Sequence, residues 1–433
     1  MEQGMDVLKT TLANGLKVLL KEIHTTPIIS HWVWVRVGSR DEGPGLSGVS
    51  HWVEHLQFKG TPLFPAGKLD KDISRDGGFW NAMTYIDWTA YFETMPADKI
   101  DLALRLEADR LANSAFDPHE VDSERTVIIS ERQGNENNPM FLLDEDVQEA
   151  AFQKHGYQHE VIGRMADLKT ISRQDLYDHY KRFYVPGNAV LAVAGDFDSQ
   201  RMLDRLRQLY EPIPAGPPPK RLNSEEPAPA EERRVVTRGP GETVFVKAAY
   251  RSLPATHADF FALTVADSLL AGPSNLNMFS GGISNKTSRL YRRLVEKDLA
   301  VGVSGGLQAT IDPFIYDITL VVHPARKAEE AITALDEELA RLQDSPPKPA
   351  ELARAVKQAQ ALFAYGSESI TNQAFWLGFA EIFDSYAWFE TYLARLAAVT
   401  PDDVQRVAQA YLRPERRVLG IYQPDGRPAS AEA

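Results

Sequence analysis

The chain has 433 residues, 25% of them charged and 43% hydrophobic, with a formal net charge of −13. That length suffices for two or three domains with sizeable cores, and the acidic balance argues against nucleic acid or an anionic membrane surface as partner, since both require a basic face. The absence of cysteine excludes disulfides, thiolate nucleophiles and cysteine-ligated zinc, so any metal must be held by His, Asp or Glu.

The opening "MEQGMDVLKTTLANGLKVLL" has no basic segment leading into an apolar run of signal-peptide length. No window approaches the ~20 apolar residues of a membrane span, so a cytoplasmic protein is the expectation. A strand-like run, "SHWVWVRVGSRDE", then leads into "GVSHWVEHLQFKG". Gly48 and Ser50 mark a helix start there and Gly60 a stop. At about 100° per residue Val49, Val53 and Leu56 cluster on one side, while His51 and His55 fall opposite, one turn apart. Two imidazoles at i and i+4 can point at one ion, and Glu54 is offset so that it reaches a water beside the metal rather than the metal itself. The order H-x-x-E-H is the inverted zinc-protease motif. The alternative is an exposed helix carrying two histidines and a solvated glutamate.

A helix and two strands follow in "GKLDKDISRDGGFWNAMTYIDWTAYFETMPADK", then the helix "IDLALRLEADRLAN" and a Pro-led helix containing "SERTVIISER". In the last, Glu124 and Glu131 are seven residues apart, nearly two turns, and share a face. One can bind a metal while the other orients a histidine or its neighbour; two surface glutamates on an amphipathic helix are the alternative. "FQKHGYQHE" also spaces His155 and His159 by four, but Gly156 and Gly163 break a helix, so this reads as a loop without a common metal-facing side.

The Pro-rich, charged "EPIPAGPPPKRLNSEEPAPAEERR" reads as an extended linker. It divides the chain into an N-terminal repeat (1–212), a linker (213–236) and a C-terminal repeat (237–433). The second repeat restates the order of the first. "VFVKAAYRSLPATHADFFALTVADSLLAG" gives strand and helix, "SRLYRRLVEKDLAVGVSGGLQATIDPFIYDITLVVHPARK" a helix and two strands, and "AEEAITALDEELARL" and "PPKPAELARAVKQAQALF" the two closing helices. The pattern predicts a duplicated α+β unit, a sheet covered by helices. Aligning Gly60 with Gly272 sets His51, Glu54 and His55 opposite Leu263, Ala266 and Asp267; aligning Pro118 with Pro349 sets Glu131 opposite Leu362. The fold therefore does not demand His or Glu at these positions, and their presence in one copy points to added chemistry. The tail "QPDGRPASAEA" is small and polar and is predicted to be disordered.

Taken together, "GVSHWVEHLQFKGT", "GGFWNAMTYIDWTAYF" and "SERTVIISER" resemble the pitrilysin family of zinc metallopeptidases, the inverzincins, over roughly residues 7 to 424. The likeness is to short two-repeat bacterial members related to the mitochondrial processing peptidase subunits. It implies two homologous repeats, each a mixed or antiparallel sheet under helices, arranged as a clamshell around a Zn2+ site. It implies His51, His55 and Glu131 as metal ligands, Glu54 as general base and Glu124 behind the ligands. The segment matching Gly77 to Thr84 is by this resemblance an edge strand receiving an extended peptide, with Gly78, Asn81, Ala82 and Thr84 as substrate-binding residues. An open edge accepts many sequences through backbone pairing. Phe79, Trp80, Tyr85 and Trp88 either shape side-chain pockets or pack in the core. The implied activity is zinc-dependent endopeptidase cleavage of unfolded peptides or oligopeptides; the alternative is a non-catalytic zinc- and peptide-binding subunit of a processing or assembly complex. One departure bears on this choice. Where many members carry an Arg and a Tyr in the second repeat, this chain has Val295 and, near the Tyr position, Val301 or Gly302, with Arg289, Arg292 and Arg293 out of register. The resemblance thus implies a homodimer, or a heterodimer with a homologous subunit that bears the Arg/Tyr pair.

Overall fold

The computed structural model describes residues 7–222 and 225–426; the C-terminal tail beyond residue 426 lies outside the described residues. Eleven strands occur among the described residues: β1 (Leu8–Thr11), β2 (Lys17–Glu22), β3 (Ile28–Val35), β4 (Phe79–Thr84), β5 (Thr89–Pro96), β6 (Ala189–Gly195), β7 (Arg233–Gly239), β8 (Phe245–Arg251), β9 (Ala300–Gly306), β10 (Ile315–Val322) and β11 (Arg417–Pro424). They form two sheets, ordered β1-β2-β6-β3-β5-β4 and β7-β11-β8-β10-β9.

Leaving out β1, the two sheets share one plan. A parallel pair, β2 with β6 and β7 with β11, is followed by antiparallel pairings out to a final edge strand, β4 or β9. Both sheets are mixed, one of the two forms the resemblance implies. β3 and β6, "IISHWVWV" and "AVLAVAG", are almost wholly buried, the expected composition for interior strands covered on both faces.

Two compact units make up the chain, and neither is one continuous stretch. The first holds 1–132, 159–224 and 368–386; the second holds 133–158, 225–367 and 387–433. A single cut at the Pro-rich segment misses an exchange of helices. The helix Ile370–Phe383, from late in the chain, packs on β2, β3 and β6 of the first sheet, where Phe375 meets Trp32 and Trp34 at 5.6 and 5.3 Å between ring centroids. The helix Pro139–Ala151, from early in the chain, packs on β7, β8 and β11 of the second sheet. Sequence order gives no hint of this, because either apolar helix can cover either sheet. The linker is also shorter than its composition suggests: Arg233–Val236 belong to β7 and pair in parallel with Val418–Ile421. No helix among the described residues is long and apolar enough to cross a membrane.

Candidate metal centre

The first unit carries His51, Glu54, His55, Glu124 and Glu131. The His helix, Val49–Leu56, buries Val49, Trp52, Val53 and Leu56 completely and leaves His51 and His55 half-buried on its other side. Its start is held by a residue that periodicity could not flag. The Glu42 carboxylate accepts the Gly48 N–H at 2.7 Å and the Ser50 N–H at 2.8 Å, supplying acceptors to amides that the helix cannot satisfy internally. Burial pushes the Glu42 carboxyl up to about 8, against the lowering effect of those two amides. Gly48 has φ of 91°, and a side chain there would also collide with the Ile162 carbonyl, so only glycine fits this entry to the helix.

The Glu helix, Pro118–Asn135, runs beside it. Glu124 and Glu131 face the histidines together, as their spacing requires. His55 Nδ1 lies 2.8 Å from Glu124 Oε1, and Lys59 Nζ lies 2.6 Å from Glu124 Oε2. Glu131 Oε2 stands 3.9 Å from His51 Nε2 and 3.7 Å from His55 Nε2. The three ligand atoms of His51, His55 and Glu131 lie within 4.8 Å of one another. Tetrahedral ligands held at zinc–ligand distances of ~2.0–2.1 Å sit about 3.3 Å apart, so the set needs only a small inward movement to hold such an ion. His155 and His159 join no such group among the described residues. His155 meets Asp312 at 3.1 Å, and His159 lies 3.6 Å from Glu42.

The electrostatics suit a cation. Burial, with the neighbouring His55 as a second cause, brings the His51 imidazole down to about 3, so it is neutral with a free lone pair at ordinary pH. Burial alone would lower His55, but its hydrogen bond to Glu124 and the nearby carboxylates raise it. That bond assigns the Nδ1 proton toward Glu124 and leaves Nε2 as the ligand atom, the usual support for a metal-bound histidine. Glu124 is itself held low: burial opposes ionisation, but the His55 and Lys59 contacts outweigh it.

Glu54 is only 8% exposed, and its Oε2 accepts a 2.7 Å hydrogen bond from Thr84 Oγ1 of β4. Burial raises its carboxyl above the usual range, with the Thr84 bond opposing. Thr84, a substrate-binding residue by the resemblance, points its side chain inward to Glu54. Gly78 likewise has a packing reason, since an added Cβ would overlap Met95 Sδ and Ile73.

β4 is the edge of its sheet, as the resemblance implied. The Tyr85 N–H donates to the Trp88 carbonyl across a two-residue turn. Counting back by twos, Trp80, Ala82 and Thr84 direct their backbone polar groups away from β5. Asn81 is exposed, and its Oδ1 accepts the Ala82 N–H at 2.9 Å. The aromatic residues divide. Trp88 is buried against Trp34 at 4.9 Å, and Trp80 packs on Phe58 at 4.7 Å with the Arg110 guanidinium nearby. Phe79 remains 60% exposed.

Residues 17–164 match the family profile described as insulinase (peptidase family M16), and residues 170–359 match that described as the peptidase M16 inactive domain. The chain belongs to peptidase family M16. It is 28% identical, over 96% of its length and 89% of the other's, to a protein of Streptomyces coelicolor named as an uncharacterized zinc protease. It is 25% identical, over 93% of its length and 86% of the other's, to the mitochondrial-processing peptidase subunit beta of Dictyostelium discoideum. The crystal structure of a protease from Helicobacter pylori superposes with a TM-score of 0.90 at 26% identity, covering 98% of this chain and 100% of that one. M16 membership and the two-unit fold with a mixed sheet in each half agree with the reading of the motifs.

Proposed function

We propose that the chain is a zinc-dependent endopeptidase acting on unfolded peptides or oligopeptides, with His51, His55 and Glu131 as metal ligands and Glu54 as general base. The observation that carries this is the convergence of two imidazole Nε2 atoms and one carboxylate oxygen beside a buried carboxylate that binds none of them. Relatives named zinc proteases support the choice of ion. Zinc held there would polarise a scissile carbonyl and make a water acidic enough to deprotonate near neutrality. Glu54 takes the proton of the attacking water and returns it to the leaving amine. Its burial makes it a better proton acceptor than a solvated glutamate, and Thr84 fixes the orientation of its Oε2, leaving Oε1 for the proton. The open edge of β4 would receive the peptide as an added strand, with Asn81 exchanging its local bond for one to the peptide.

A second reading, a zinc- and peptide-binding subunit that needs a partner for turnover, is favoured by a specific feature. Val295 and Val301 or Gly302 stand where Arg and Tyr are expected. Of the nearby arginines, Arg289 is paired with Glu351 at 2.8 Å and Arg293 with Glu337 at 2.5 Å. A homologous subunit would then supply the pair.

A quenched-fluorescent peptide assay on the full chain separates the readings. The endopeptidase reading expects cleavage that chelator abolishes and zinc restores. Cleavage that chelator leaves intact overturns the metal mechanism; silence relieved by adding a homologous subunit selects the second reading.

A further inference from the structure

Besides the Lys59 ion pairs with Glu120 and Glu124 just beyond the His helix, two contacts set how the ligand-bearing helices meet, and only one of the two involves a residue of the motif chemistry. The first is the His55–Glu124 hydrogen bond. The second is Arg125, the next residue on the Glu helix. Its guanidinium lies 4.6 Å from the centroid of the Trp52 ring, which is fully buried on the His helix next to His51. Two of its nitrogens donate to backbone carbonyls, Nη1 to Leu168 at 2.7 Å and Nη2 to Ile171 at 2.8 Å. Leu168 and Ile171 are themselves buried.

The geometry makes these contacts complementary. Glu124 and Arg125 project about 100° apart around the helix, so together they fix its rotation as well as its distance from the His helix. The His55 and Lys59 contacts all fall on Glu120 and Glu124, within about one turn of each other, so with these alone the helix could pivot about Glu124. Glu131 sits seven residues, about 10 Å, further along, so a small pivot displaces its carboxylate by more than the ~0.5 Å that a functional constellation tolerates. The residue type matters too. A planar guanidinium can stack on an indole face while its fork meets two separate carbonyls; a lysine ammonium cannot do both.

We infer that Arg125 is a positioning residue for the metal centre: by docking the Glu helix on Trp52 and on the 168–171 backbone, it sets where the Glu131 carboxylate meets the two imidazoles. This rests on the metal reading above.

The test uses the full chain, wild type beside Arg125→Met and Arg125→Lys. Zinc affinity is measured by chelator competition, ligand geometry by the visible spectrum of the cobalt(II)-substituted protein, and folding by thermal melting in chelator. Arg125→Met should weaken zinc binding by about 10–100-fold and change the cobalt spectrum, with Arg125→Lys in between. Zinc affinity within twofold of wild type and an unchanged cobalt spectrum, even with a lower melting temperature, would reduce Arg125 to a structural role and overturn the proposal. If Arg125→Met does not fold, Arg125→Lys decides by the same readouts. A wild-type chain that takes up neither metal would overturn the metal reading itself, and this inference with it.

Discussion

The helices Val49–Leu56 and Phe260–Leu270 hold corresponding places in two units whose sheets follow the same strand order. The first presents His51, Glu54 and His55; the second has Leu263, Ala266 and Asp267 at the matching positions, and every residue of that helix is buried. The Glu helix differs from its counterpart Pro349–Tyr365 in the same way: Glu124 and Glu131 correspond to Ala355 and Leu362, both buried. One unit therefore shows what the fold needs at these positions, which is apolar packing. The other shows what was added to it. Asp267 is the exception in the packed copy: a fully buried carboxylate whose Oδ2 accepts the Ser274 N–H at 2.7 Å.

If this contrast is functional, the largest effect should come from Glu54. Glu54→Gln keeps the shape and an acceptor for Thr84 but cannot take up a proton. Peptide turnover should fall by about 10²–10⁴-fold while zinc content stays unchanged. Equal loss of zinc would show that Glu54 serves the site's structure instead.

In the other unit the corresponding change should act on stability alone. Burial raises the Asp267 carboxyl to about 7, with the Ser274 contacts opposing. Between about pH 4 and pH 7 the folded chain therefore keeps a proton that an ordinary unfolded aspartate has released, and stability falls as pH rises through that window. Asp267→Asn should remove this dependence and stabilise the chain at pH 8 relative to pH 4, on the order of a few kcal/mol. Denaturant melts at the two pH values measure it; a variant whose stability tracks wild type at both would mean that Asp267 is ionised in the fold.

A smaller effect is expected at Thr84. Thr84→Val removes one hydrogen bond to a buried carboxylate, an interaction of about 1.5–3 kcal/mol. Turnover should drop by roughly tenfold or more with zinc binding intact. A rise in KM without a change in kcat would instead return Thr84 to the substrate-binding group. Gly78→Ala should lower the melting temperature by crowding Met95 and Ile73, with a cost of about 1–3 kcal/mol.

What could be read from the chain follows from what is local. The His pair, its neighbouring Glu54 and the Glu124/Glu131 spacing are set by helical periodicity, so the side chains fall where the sequence placed them. The repeated succession of strands and helices was legible because each copy carries its own strands. The exchange of Pro139–Ala151 and Ile370–Phe383 was not, because an apolar helix does not encode which of two similar sheets it covers. Glu42 and Arg125 were missed for a related reason: each acts through partners brought close only by folding, Glu42 on amides at the start of the His helix and Arg125 on Trp52 and the carbonyls of Leu168 and Ile171. The bond from the Thr84 side chain to Glu54 was not legible, since strand alternation alone does not say which face meets the metal helix.

The most direct measurement is the zinc content and affinity of the full chain beside Glu131→Ala. The account predicts one zinc per wild-type chain and at least tenfold weaker binding once one of three protein ligands is removed. A wild-type chain that binds no zinc, or a Glu131→Ala chain that holds it as tightly, would contradict it.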